Sequence, residues 1–216
     1  MNKFDLVIID LDGTLLDSND LWIEIDQEFC QERNLDMPDD YLANLARLGM
    51  KEGAKYTQEL FKLDMTAQEI EAAWDEKALD AYKHRVDNKP YSREFLEALK
   101  KKNIRMVVGT MNSKRYFDRA MERLDLYKYF DAIYSSDNQE YGKSTRKFYD
   151  RILVDEGVEA GRILVIDDLL AACQSAKKTG MKVCFVEDKV GQYSREEIEE
   201  ASDYYVVDWS ELLPIM

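Results

Sequence analysis

Phe4-Asp5-Leu6-Val7-Ile8-Ile9-Asp10-Leu11-Asp12-Gly13-Thr14 begins as an unbroken apolar run and ends in two acids beside a glycine. A continuous run, rather than an alternating one, predicts a strand covered on both faces, as in a parallel sheet. In open parallel sheets chemistry gathers outside the carboxyl ends of the strands. Asp10 and Asp12, spaced i and i+2, project to the same side if the extended geometry persists. Working outward, five more short apolar runs read as strands, at 104–108, 132–134, 163–166, 183–186 and 204–207. Helical stripes separate them: Phe95, Leu96 and Leu99; then Phe117, Ala120, Met121 and Leu124 after a Ser113 N-cap; then Tyr149, Ile152 and Leu153. A further helix carries Ala172 and Ala176 and ends near Gly180. The alternation predicts an α/β fold, a Rossmann-like doubly wound parallel sheet.

Between the first strand and the rest lies a segment with helical periodicity only. Leu21, Ile25 and Phe29 share a face, Pro38 suits a first helical turn ahead of Leu42, Leu45 and Leu48, and Thr66 and Glu69 form a capping box. Ile70, Trp74, Ala78 and Ala81 follow on one face. The expected division is an α/β core from 1–15 and 89–216 with an all-helical insertion at 16–88, returning through Asn88-Lys89-Pro90.

Each strand end carries polar chemistry. The first has Asp10 and Asp12, the second Thr110-Met111-Asn112, the fourth Asp167-Asp168, and Gly142-Lys143-Ser144 lies between the third and fourth. Taken singly these are ordinary: a D-x-D-G can be a plain turn, an acidic pair can cap a helix, and a lysine usually faces water. A calcium loop fits poorly, because Gly13 comes too early and no ligand Glu follows at the right distance. Taken together they converge on one sheet edge. One carboxylate there can attack phosphorus while its neighbour protonates the leaving group and then activates water. Crowded acids and a phosphate repel one another, so a divalent cation is expected, and oxygen-only donors favour Mg²⁺. Lys143 would share the neutralisation, and the Thr110 hydroxyl and the turn amides after it suit phosphate oxygens.

Composition narrows the partners. The 216 residues are 45% hydrophobic, enough for a real core. Thirty Lys and Arg against 44 Asp and Glu give −14, which repels nucleic acid and anionic membranes. Residues 16–88 hold 18 acids and 8 bases, most of that excess. No run of eighteen apolar residues occurs and the N-terminus is not a signal peptide, so a cytoplasmic address is expected. Cys30, Cys173 and Cys184 are too few and too scattered for a disulfide framework, and read as reduced core thiols.

These motifs resemble the haloacid dehalogenase superfamily of phosphohydrolases across essentially the whole chain. The resemblance implies Asp10 as nucleophile, Asp12 as general acid and base, and Mg²⁺ on the Asp10 carboxylate, the Asp12 main-chain carbonyl and Asp168. It implies Thr110, Met111, Asn112 and Lys143 around the phosphoryl group, and Asp167 as a ligand through water or a support behind the metal. Departures are Ser144 where the third motif continues with Pro, Gly109 and Met111 around Thr110, and Asp167 where Glu is frequent. The insertion resembles the cap of the β-phosphoglucomutase and phosphoglycolate-phosphatase branch, where it closes over the site and selects the substrate. The expected activity is a phosphatase on a small phosphorylated metabolite, from a monomer or weak homo-oligomer. A sugar phosphomutase is the alternative, but needs cations in the cap; Arg47, Lys51 and Lys55 share a helical face, against a net −10. A non-catalytic binding protein is the second alternative. Trp22 is either cap core or a substrate contact, and the lone His84 is assigned no role.

Overall fold

The computed structural model describes residues 2–135, 137–189, 191 and 193–215, and leaves aside the side chains at 46, 47 and 49. In chain order the strands are β1 (Leu6–Ile9), β2 (Leu16–Asp17), β3 (Asp87–Asn88), β4 (Arg105–Gly109), β5 (Ala132–Tyr134), β6 (Ile163–Asp167), β7 (Lys182–Val186) and β8 (Tyr204–Val206). The helices are α1 (Leu21–Glu32), α2 (Tyr41–Phe61), α3 (Ala67–His84), α4 (Ser92–Lys101), α5 (Lys114–Arg123), α6 (Arg146–Glu156), α7 (Leu170–Lys177) and α8 (Arg195–Ala201). They form two compact units, one of Met1–Asn19 with Val86–Met216 and one of Asp20–Arg85.

The first unit is built on a parallel six-stranded sheet of order β5-β4-β1-β6-β7-β8, the doubly wound α/β class expected from the sequence. All six apolar runs become these strands, with ends shifted by a residue or two. Leu6 and Ile8 of β1, with Val107, Ile163, Val165, Val183 and Phe185, pack under Phe148, Tyr149, Ile152, Cys173, Ala176 and Ile198 from α6, α7 and α8. The alternate residues Val7, Ile9, Val108, Leu164 and Ile166 are also fully buried, so both faces are covered. That double burial is why the strands read as continuous apolar runs. The three cysteines are free and buried. Gly109 is forced by packing: a Cβ there would lie 2.8 Å from Ile8 Cγ2. In register Ile9 pairs with both Val108 and Ile166, which brings the following residues, Asp10, Gly109 and Asp167, level at one edge.

Two elements escape a periodicity argument. β2 and β3 pair antiparallel, Leu16 with Asn88 and Asp17 with Asp87, at the two ends of the insertion. The compact helical unit therefore spans Asp20–Arg85 rather than 16–88. Within it Leu21, Ile25 and Phe29 are buried on α1, and Ile70, Trp74, Ala78 and Ala81 on α3. The Thr66 capping box forms in full. Pro38, expected in the first turn of a helix, instead precedes α2, where its carbonyl accepts from the Tyr41 amide in a turn. Leu48 and Trp22, at 43% and 37% exposure, stand outside the core of this unit. Arg47 falls outside the described side chains, and Lys55 pairs with Glu52 at 2.7 Å. His84 lies 3.7 Å from Asp80 one turn back. No helix among the described residues is long and apolar enough to cross a membrane.

Candidate active site

β1 hands the chain to a tight turn. The Asp10 amide still donates to the Ile166 carbonyl at 3.0 Å, and then the Thr14 and Leu16 amides both donate back to the Leu11 carbonyl. Gly13 sits inside this turn at φ +75°, where a Cβ would drive into the Asn19 amide and the Asp168 carboxylate. The Trp209 indole N–H donates to the Thr14 carbonyl at 2.9 Å and anchors the turn from below.

Asp10, Asp167 and Asp168 each offer an oxygen, and the three oxygens lie within 4.8 Å of one another. All three residues are buried, as is Lys143. The Lys143 Nζ lies 2.5 Å from Asp10 Oδ1 and 3.0 Å from Asp167 Oδ2. Thr14 Oγ1 donates to Asp168 Oδ1 at 2.9 Å and reaches Asp10 Oδ2 at 3.3 Å. Asp167 Oδ1 accepts the Leu169 amide.

Burial pushes the Asp10 carboxyl well above its usual range; Lys143 opposes this, and the charges of Asp167 and Asp168 add to it. Asp167 is likewise pushed up by burial, to about 6, against the pull of Lys143. Burial alone would pull the Lys143 ammonium down, but Asp10 and Asp167 outweigh it and hold the cation firmly charged. One lysine thus faces three carboxylates, so full ionisation would leave two negative charges uncompensated in a buried place, and the raised carboxyls register that cost. Asp10 Oδ1, despite its contact with Lys143, lacks a well-directed hydrogen bond among the described residues. An oxygen-only donor set with that charge deficit suits a hard divalent cation such as Mg²⁺.

Asp12 is not one of that trio. Its Oδ1 accepts from Ser18 Oγ at 2.7 Å and its Oδ2 from Asn112 Nδ2 at 2.8 Å, so its carboxylate is aimed by two neighbours. Thr110 is buried at the end of β4, and its hydroxyl accepts the Asn112 amide at 3.0 Å. Asn112, read in sequence among the phosphate-binding residues, thus bonds its own loop through its amide and Asp12 through its side chain. Met111 is exposed, and its sulfur accepts the Lys143 amide at 3.4 Å. The Lys143 loop is closed by the Thr145 amide and hydroxyl on the Gly142 carbonyl, and Ser175 Oγ holds the Ser144 carbonyl at 2.7 Å. These contacts tie down a loop that has Ser144 where the resembling motif has proline. Sequence reading passed over Asn19, Ser175 and Asp188, because each acts through a partner far away in the chain. It also passed over Ser18, whose bond to Asp12 depends on the turn that folds residues 12–18 back on themselves.

Residues 7–186 match the family model of the haloacid dehalogenase-like hydrolases. The chain belongs to that family. This hydrolase is 24% identical over 178 residues to a phosphorylated carbohydrates phosphatase of Thermotoga maritima, covering 82% of each chain. It is also 24% identical to a GMP/IMP nucleotidase of Escherichia coli, over 83% of this chain and 81% of that one. Among solved structures, a candidate β-phosphoglucomutase of Thermotoga maritima has a TM-score of 0.84 at 22% identity, with 94% of each chain covered. CbbY of Rhodobacter sphaeroides, crystallised with phosphate, has a TM-score of 0.73 at 20% identity over 97% and 96% of the two chains. At these identities the structures speak for the fold.

Proposed function

We propose that this hydrolase is a Mg²⁺-dependent phosphomonoesterase acting on a small phosphorylated metabolite. The buried set of Asp10, Asp167 and Asp168 around Lys143 carries this reading, because its charge deficit calls for a cation and an anionic substrate needs the same cation. The ion would be held by the carboxylates of Asp10 and Asp168 and the Asp12 main-chain carbonyl, with Asp167 beside Lys143. When bound it neutralises charge on the transferring phosphoryl group.

An Asp10 carboxylate oxygen attacks phosphorus and the ester oxygen leaves with a proton from Asp12, giving an aspartyl phosphate and free alcohol. Asp12, now ionised, takes a proton from water; the hydroxide attacks phosphorus, and Asp10 departs as carboxylate with inorganic phosphate. Ser18 and Asn112 aim Asp12 for both transfers. Lys143, the Thr110 hydroxyl and the Met111 amide surround the phosphoryl oxygens. The helical unit Asp20–Arg85 acts as the substrate-selecting cap, and the overall −14 keeps recognition of a phosphate local to the site.

The test is phosphate release from an aryl phosphate and a panel of sugar, nucleotide and short-chain phosphates, with and without Mg²⁺. Expected is Mg²⁺-dependent release, absent from Asp10→Asn. Equal release by that variant rejects the nucleophile. Conversion of β-glucose 1-phosphate to glucose 6-phosphate with a bisphosphate primer, in place of free phosphate, would favour the mutase; silence over the whole panel would favour a binding protein.

A further inference from the structure

The Asn19 side chain sits between two acids from distant parts of the chain. Its Nδ2 donates to Asp168 Oδ2 at 2.9 Å and to Asp188 Oδ1 at 2.8 Å. Nδ2 carries only two hydrogens, and these two bonds use both. A flipped amide would press its oxygen against two carboxylates, so the amide has one allowed orientation. Asp188 Oδ2 in turn pairs with Lys89 Nζ at 2.5 Å, and the two side chains are only 7% and 14% exposed. Lys89 thereby cancels the Asp188 charge, and this second acid adds nothing to the deficit at the trio. Asp168 ends with both oxygens held, Oδ1 by Thr14 and Oδ2 by Asn19. The backbone leaves space for this arrangement only because residue 13 is glycine. Asn19 ends the entry to the helical insertion, Lys89 follows its exit, and Asp188 comes just after β7, so one chain of contacts ties three loops of the α/β unit to Asp168.

We propose that Asp188 is a positioning residue for the cation: through Asn19 it fixes the Asp168 carboxylate in the orientation that a divalent ion requires. The inference rests on the metal reading above and extends it to residues outside the family motifs. Mg²⁺ demands near-ideal octahedral geometry, and a carboxylate free to swing binds it poorly. Loss of an outer partner of a ligand typically weakens metal affinity about 10–100-fold.

The experiment titrates the full-length protein with Mn²⁺ in place of Mg²⁺ and follows free Mn²⁺ by electron paramagnetic resonance. Wild type is compared with Asp188→Ala, Asn19→Ala, Asp188→Asn and Asp168→Ala, with thermal unfolding of each in EDTA. Expected are one tight site in wild type, its loss in Asp168→Ala, and an affinity about tenfold weaker or more in Asp188→Ala and Asn19→Ala. Asp188→Asn keeps an oxygen for Asn19 Nδ2 and should recover most of that affinity. Wild-type affinity in both alanine variants would overturn the inference alone. So would an affinity that merely tracks metal-free stability, with Asp188→Asn no better than Asp188→Ala. A wild type that takes up no Mn²⁺ would overturn the metal reading, and this inference with it.

Discussion

Gly13 concentrates the demands of the site in one residue. It takes φ +75°, and the volume a methyl group would fill is occupied by Asn19 and Asp168. Gly13→Ala therefore meets backbone strain and a clash with a proposed metal ligand at once. Expected is a loss of about 1–3 kcal/mol in stability, together with a weakened requirement-saturating Mg²⁺ response. Thermal unfolding and a Mg²⁺ titration of phosphate release check both; unchanged values would mean that the Asn19–Asp168 pair can move aside. The contrast between Asp168 and Asn19 also shows what a sequence can disclose. Asp10, Thr110 and Asp168 stand just past or beside strand ends, which can be read from apolar runs, and Lys143 stands just ahead of a helix start. Asn19, Lys89 and Asp188 have partners up to 169 residues away. No local pattern marks them, since only the folded sheet edge makes them neighbours. Asn112 was legible as a site residue but not in its task, which depends on the Asp12 carboxylate lying opposite.

At the scale of elements, apolar runs, helical stripes and the Thr66 capping box translated directly, and the two-residue strands and the Pro38 helix start did not. Six apolar runs became six strands because both sheet faces are buried. β2 and β3, two residues each, have no room for a period, and their pairing follows from where the insertion leaves and returns. Pro38 failed as a helix start because Pro38-Asp39-Asp40 closes a turn onto Tyr41 instead. α1 carries a further feature that periodicity hides: Asp26 lies next to the buried Ile25 on an amphipathic helix, and burial raises its carboxyl to about 7. The folded state thus holds this proton more tightly than the unfolded chain. Its stabilising contribution is complete below the unfolded value near 3.8, falls as pH rises, and is gone above about 7. Asp26→Asn has no charge to bury. Its stability relative to wild type should grow between pH 4 and pH 8, by roughly 1–3 kcal/mol, given about 1.4 kcal/mol per pK unit and partial exposure to water. Unfolding temperatures of both proteins across that range test this, and a constant difference would mean an ordinary carboxyl.

For the whole molecule, the question is how far the α/β unit depends on the helices inserted into it. Every residue in its main apolar cluster, from Leu6 to Ala201, lies outside Asp20–Arg85, and the helical unit packs on its own aromatics, with Phe29 edge-on to Trp74 at 5.7 Å. The chain leaves and re-enters through the paired strands β2 and β3, so its two ends are already neighbours. Replacing residues 20–85 by Asn-Gly would leave a five-residue hairpin loop between Asp17 and Asp87, a common length for such connections. Asn19 is retained, and with it the contacts to Asp168 and Asp188. The shortened protein should unfold cooperatively and still release phosphate from an aryl ester in a Mg²⁺-dependent way. What it should lose is choice: the spread of kcat/KM across the metabolite panel should narrow at least tenfold, equivalent to about 1.4 kcal/mol of discrimination. Thermal unfolding and the substrate panel read the two outcomes separately. A shortened chain that fails to fold would make the helices part of the stability of the sheet. One that folds and discriminates as before would place selection in the α/β unit itself, where Met111 and Leu169 are exposed beside the proposed phosphate and metal residues.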